Sequence, residues 1–230
     1  MCGSAITYPS AFVRVTGEDL PSYATFSVTD GWGKSDEVST DGRYLDPSNL
    51  AGHVRPDGDP PKLEELRCDS EEFQRLQGPQ TVTLGEAYND KLSFAMRVHT
   101  TQTLASDEES PPRVGRGDEV RVTMDNVSTD MQQTGNRHKW NLQVRTLDGW
   151  KELRGTTSDT PLVYDDLAIE HPPGKGFEWT FEMTEEGIVA GHEHEKKLEV
   201  CPDLQSGRYR FVYRGIIRGD PLAVEFHYNG

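Results

Sequence analysis

Between residues 91 and 230 apolar and polar side chains alternate in six separate segments, and this alternation constrains the chain more than any other feature. Leu92, Phe94, Met96 and Val98 fall on one side of an extended backbone, and Ser93, Ala95 and Arg97 on the other. The same rhythm places Val120, Val122 and Met124 opposite Glu119, Arg121, Thr123 and Asp125, and Trp140, Leu142 and Val144 opposite Asn141, Gln143 and Arg145. It recurs for Phe177, Trp179, Phe181 and Met183, for Tyr209, Phe211 and Tyr213, and for Leu222, Val224, Phe226 and Tyr228. A period of two is that of a β-strand with one face in a core. Six one-faced strands leave their apolar sides in water unless two sheets close on each other, so the pattern predicts a mainly β protein built as an antiparallel sandwich.

Turn formers punctuate the segments: Asp148-Gly149, Pro172 to Gly176, Ser206-Gly207 and Gly219-Asp220-Pro221. A short helical turn is expected over Thr184–Ala190, with Thr184 as N-cap and Gly191 as stop. Residues 1–90 have a different texture, with 16 acidic and 7 basic residues, many Gly and Pro turns, and two short strand-like runs at Phe12–Val15 and Ala24–Val28. One helix is expected there, over Ser70–Leu76, with Asp69 as N-cap and Glu71 and Glu72 in the first turn. The division is therefore an N-terminal region of short strands and one short helix, residues 1–90, packed on a sandwich domain, residues 91–230. Residues 99–117, with Asp107, Glu108 and Glu109, read as an acidic loop.

Charge excludes several classes. The net charge is −15, against the basic face that phosphate backbones require, so nucleic acid is not an expected partner. No apolar run approaches the roughly 18 residues of a membrane span. Acidic residues dominate, and lysine (8) is scarce beside arginine (16), a composition that suits high salt, where screening makes self-repulsion inexpensive.

The stretch from Arg121 to Ser128 (T-x-x-N-x-S), then Trp140 to Val144, Gly149-Trp150, Pro172-Pro173-Gly174, Glu178-Trp179 and the run from Cys201 to Phe211 (L-x-x-G-x-Y-R-F) together resemble the immunoglobulin-like domains of bacterial and archaeal surface lipoproteins of the haloarchaeal type. The resemblance covers roughly residues 90–230. It implies an immunoglobulin-like sandwich, a Tyr209 hydroxyl tied to upstream backbone in a tyrosine corner, and Trp140 in the core. The cysteine pair of antibody domains is not matched, since the strand from Val120 to Met124 holds no cysteine.

Cys2, followed by Gly3-Ser4, is placed like the lipid-modified first residue of a mature lipoprotein, which would hold the protein on a membrane by its lipid alone, at the cell surface. The alternative is a native start at Met1 and a cytoplasmic chain. Cys68 and Cys201 form an even pair; a disulfide would staple the N-terminal region to the sandwich, as an oxidising exterior permits, and two buried free thiols are the open alternative.

Catalytic signatures are sparse. No G-x-S-x-G elbow occurs, no Gly-rich loop leads from a strand into a helix, and Cys201 is not followed by the His and Met of a cupredoxin copper site. His192 and His194, in His-Glu-His-Glu, are the one metal-like local pair; with Lys196-Lys197 following, a solvated polar turn is the competing reading. Trp32, Trp150 and Tyr164 are candidates for a sugar-stacking platform, and Asp57/Asp59 and Asp165/Asp166 for Ca²⁺ ligands, with a solvated carboxylate face as the default reading. No cofactor is implied. The expected function is a non-enzymatic cell-surface interaction or accessory module with a protein partner. The alternatives are a proteinase-inhibitor-like immunoglobulin domain using loops 127–138 or 214–221, and a hydrolase or metal-dependent enzyme with a site between the two regions, ringed by His and carboxylates.

Overall fold

The computed structural model describes residues 25–29, 35–39, 46–89, 92–100, 113–158, 162–165 and 167–230. Cys2, the Phe12–Val15 run, Trp32 and the acidic run at 107–109 lie outside the described residues.

In chain order the elements are β1 (Thr25–Thr29), β2 (Ser35–Ser39), a 3-10 turn at Pro47–Asn49, β3 (Gln74–Arg75), β4 (Thr83–Leu84), β5 (Glu86–Asn89), β6 (Leu92–Thr100), β7 (Arg113–Gly115) and β8 (Glu119–Asn126). They continue with β9 (Gln132–Thr134), β10 (Trp140–Thr146), β11 (Gly149–Glu152), β12 (Arg154–Thr156), β13 (Ile169–His171), β14 (Gly176–Glu182), α1 (Glu185–Val189), a 3-10 turn at Glu195–Lys197, β15 (Glu199–Val200), β16 (Gly207–Tyr213) and β17 (Leu222–Asn229). The six alternating segments are β6, β8, β10, β14, β16 and β17.

Two sheets carry the core. One runs β14-β8-β6-β5 and is antiparallel throughout. The other runs β11-β10-β16-β17-β4, with β7 lying parallel on β17. Their apolar faces meet: Phe94, Met96, Val98, Val122 and Met124 from the first sheet share a buried cluster with Leu142, Val144, Phe211, Val224 and Phe226 from the second. Phe211 is the hub, with its ring centroid 5.1 Å from Trp140 and 5.0 Å from Trp179. Removing that apolar area from water, at roughly 25 cal/mol per Å², is the main stabilising term.

The sheets are also joined along one edge. Thr83 and Gly85 donate to the Pro221 and Ala223 carbonyls beside β17, both at 2.9 Å, and the Gly85 carbonyl accepts from Met96 of β6 at 2.7 Å. The chain changes sheets at this residue with a φ of +71°, and a Cβ there would stand 2.6 Å from Val54, so glycine is required on both counts.

Local expectations fare unevenly. Thr184 caps α1 by accepting from Gly187 N at 3.0 Å, and Ile188 enters the core, as the capping pattern predicts. The Tyr209 hydroxyl donates to Gln205 O at 2.7 Å and accepts from Gln205 N at 3.2 Å, the tie expected of a tyrosine corner. The helix expected over Ser70–Leu76 does not form. Ser70 to Phe73 make a turn, and Gln74–Arg75 extend as β3 against Thr156 and Gly155 of β12. Seven residues are too few to hold a helix by local bonding, and pairing with a distant strand takes precedence over the cap signal.

The N-terminal segment from residue 46 to 84 has little regular structure, yet it covers polar side chains of both sheets. Asn141, Gln143, Arg210 and Glu225 on one, and Arg97 and His99 on the other, all stand at alternate positions that read as solvent-facing, and all are buried.

Candidate ligand cleft between the extension and the sandwich

Three short strands, β15-β12-β3, bring the N-terminal extension against the sandwich. A disulfide joins Cys68 to Cys201 beside them, with Cα atoms 5.6 Å apart across 133 positions of sequence. The staple thus sits where β3 and β15 flank β12, and Cys201 N donates to Leu153 O at 3.2 Å.

Beneath this small sheet lies a buried ion pair. Arg154 Nε donates to Glu152 Oε1 at 2.8 Å, and both side chains are fully buried. Arg154 Nη2 donates to Trp140 O at 2.7 Å, and the guanidinium lies 3.8 Å from the centre of the Trp140 ring. The second carboxylate oxygen of Glu152 accepts from Asn141 Nδ2 at 2.6 Å. A buried pair is tolerated only when its remaining hydrogen-bonding capacity is largely used, and here most of it is. Two atoms of the network stay without a hydrogen-bond partner: Arg154 Nη1 and Asn141 Oδ1.

Above the pair opens a cleft of about 450 Å³. The extension supplies Gln74, Arg75, Leu76 and Gln77; the sandwich side supplies Asn141, Thr156, Ser158, Tyr164 and Arg214. Arg75 is committed to the protein: it donates to Glu152 O at 2.6 Å and to the Cys68 sulfur at 3.3 Å. Arg214 is exposed, and its guanidinium lies 5.1 Å from the centre of the Tyr164 ring. Burial raises the Tyr164 phenol above its ordinary value, with Arg214 acting in the opposite sense. Neither a histidine nor a carboxylate is among the described residues that line the cleft.

The histidines lie next to this site rather than in it. His192 and His194 flank a turn after α1 and do not share a strand face. His192 is buried, its Nδ1 accepts from His194 N at 3.1 Å, and its ring meets Trp140, Tyr164 and His138 edge-on. Burial, and after it the charge of Arg154, pushes its imidazole down to about 3. His194 Nε2 bonds the Val163 carbonyl at 2.8 Å. Among the described residues no three His, Cys, Asp or Glu side chains converge as metal ligands.

Of the aromatics singled out in the sequence, Tyr164 lines the cleft, while Trp150 is buried with Arg210 4.3 Å from its ring centre. Asp59 pairs with Arg208 at 3.2 Å. Loops 127–138 and 214–221 are tied together by Gly135 N donating to Gly215 O at 2.7 Å. Arg214 and Asn141 were read only as polar strand positions. What marks them is long-range placement, which no local pattern carries. Compared with protein-family models, curated proteins and solved structures, the chain matches none.

Proposed function

We propose that this chain is a non-enzymatic, immunoglobulin-like binding module of an exported protein, held at the cell surface by a lipid on Cys2. The observation that carries the reading is the Cys68–Cys201 disulfide, because such bridges persist in oxidising compartments and are rare in the cytosol. Strand order supports the immunoglobulin-like part. Taken as A, B and E, strands β6, β8 and β14 share one sheet; taken as C, F and G, strands β10, β16 and β17 share the other. The Tyr209 corner lies at the start of the F-like strand β16, as in that fold. The net charge of −15 supports a saline exterior, where screening limits self-repulsion.

Mass spectrometry of the native protein, taken from the membrane fraction, tests the reading. The expected result is an N-terminal peptide beginning at Cys2 with a lipid adduct, and a Cys68–Cys201 linked peptide without reduction. An unmodified chain starting at Met1 in the soluble fraction, with three free thiols, would overturn it.

A further inference from the structure

We propose that the cleft between the extension and the sandwich binds a carboxylate-bearing sugar, its carboxylate on Arg214 and its hydroxyls on the amides and hydroxyls of Asn141, Gln77 and Thr156. The inference rests on the binding-module reading but not on the compartment, so it stands or falls in solution whatever happens at Cys2.

Charge gives the first argument. On a chain of net charge −15, the described residues that line this cleft include two guanidiniums and no carboxylate. Arg75 spends its donors on backbone carbonyls and the Cys68 sulfur. Arg214 has only the Tyr164 ring as a described partner, and among the described residues no carboxylate pairs with it. One such guanidinium matches one planar carboxylate through two parallel hydrogen bonds. A phosphate site would instead need several donors, such as a helix N-terminus or a Gly-rich loop, and the cleft has neither.

Hydrogen-bonding capacity gives the second. Asn141 is 1% exposed, and its amide orientation is fixed by the bond from Nδ2 to Glu152, which leaves Oδ1 as an acceptor without a partner. An orphaned acceptor beside a cleft calls for a ligand that donates, and a sugar hydroxyl does so. Gln77 and Thr156 add amide and hydroxyl groups that can both donate and accept, the combination suited to vicinal hydroxyls. At about 450 Å³ the cleft falls inside the size range of small-ligand sites. The staple and the β3–β12 pairing hold its two walls together before any ligand arrives, which reduces the ordering cost of binding.

Isothermal titration calorimetry with methyl glucuronide and methyl glucoside tests the proposal, with the full chain and its disulfide intact. Methyl glucuronide is expected to bind in the millimolar range or tighter, and methyl glucoside about tenfold or more weakly, the loss of a charge-assisted contact. Arg214→Gln should remove that preference with little change in the melting temperature, because the side chain is exposed and its described contact is the Tyr164 ring alone. Gln77→Ala should weaken both sugars alike. Equal affinity for the two sugars, binding of neither, or an Arg214→Gln protein that still prefers the glucuronide each overturns the assignment. A glutamate-containing peptide that binds the cleft when the glucuronide does not would leave a binding module but replace the sugar.

Discussion

The sheet β11-β10-β16-β17 is buried on both faces, and by opposite chemistries. Its inner face presents Leu142, Val144, Phe211, Val224 and Phe226 to the other sheet, with polar atoms confined to a few ring groups such as the Tyr209 and Tyr213 hydroxyls, which donate to the Gln205 and Gly135 carbonyls. Its outer face presents Asn141, Gln143, Arg210 and Glu225 to an extension that has almost no secondary structure. A chain that pairs with a sheet only at scattered points, as at His53 and Leu63, keeps unpaired carbonyls elsewhere, and buried carbonyls are costly unless something donates to them. Arginines from the sheets supply the donors. Arg210 bonds Pro79 O at 2.6 Å, Arg97 bonds Pro47 O at 2.6 Å, and Arg208 reaches Pro56 O at 3.4 Å. Each clamps the carbonyl of a proline, a residue with no N–H of its own to join a ladder. The high share of arginine thus has a structural use in addition to any adaptation to salt. Lysine, a point charge without a planar fork, would serve less well.

The largest break in this comparison is expected on the inner face. Phe211→Ala removes the hub of the aromatic cluster and should cost about 3–5 kcal/mol, read as a single cooperative shift in urea unfolding. Cys68→Ser should cost about 2–4 kcal/mol, read the same way, with limited proteolysis reaching the extension before the sandwich. Arg210→Met keeps the bulk but removes the charged donor from Gln143, Pro79 and Gln80; a loss of about 1.5–3 kcal/mol is expected, with faster amide exchange around residues 78–81. If Arg210→Met proved neutral, the outer layer would be held by contact area alone and the contrast between the faces would fail.

Acid gives the smallest and most graded test. Burial pushes the His99 imidazole down to about 4, with Arg121 adding to the effect, and His192 down to about 3. Both are neutral in the fold but take up protons when unfolded, so stability is present above about pH 6.5 and is lost as pH falls toward those values. The Asp125 carboxyl, raised to about 6 mainly by burial and then by Glu178, opposes this between about pH 6 and 4, because it favours the protonated form in the fold. The urea midpoint should therefore fall between pH 7 and 5. His99→Gln should make this fall shallower, each histidine contributing up to about tenfold in the folding constant per pH unit.

Strand positions were legible because alternation is a local signal with a physical cause: one face of each strand enters the core. The outer layer was not legible. Gln143 and Arg210 sit where alternation calls for water, and their cover is irregular chain that has no period to detect. Ser70–Leu76 shows the converse error, a helix cap signal overridden by pairing between residues some 80 positions apart. The cleft was half legible. Tyr164 was visible as an aromatic outside the alternating rows, whereas Arg214 became distinctive only once its lack of a carboxylate partner among the described residues was set beside the net charge.

The covalent link between Cys68 and Cys201 also decides how the molecule bears tension. A pull entering from the N-terminal side of Cys68 and leaving at the C-terminus crosses directly from one sulfur to the other. The 132 residues between the two cysteines form a side branch that lies off this covalent path. Asn141, Thr156 and Tyr164 all lie on that branch while Arg214 lies on the loaded segment, so as long as the bridge stays oxidised traction reaches the cleft through one of its walls first.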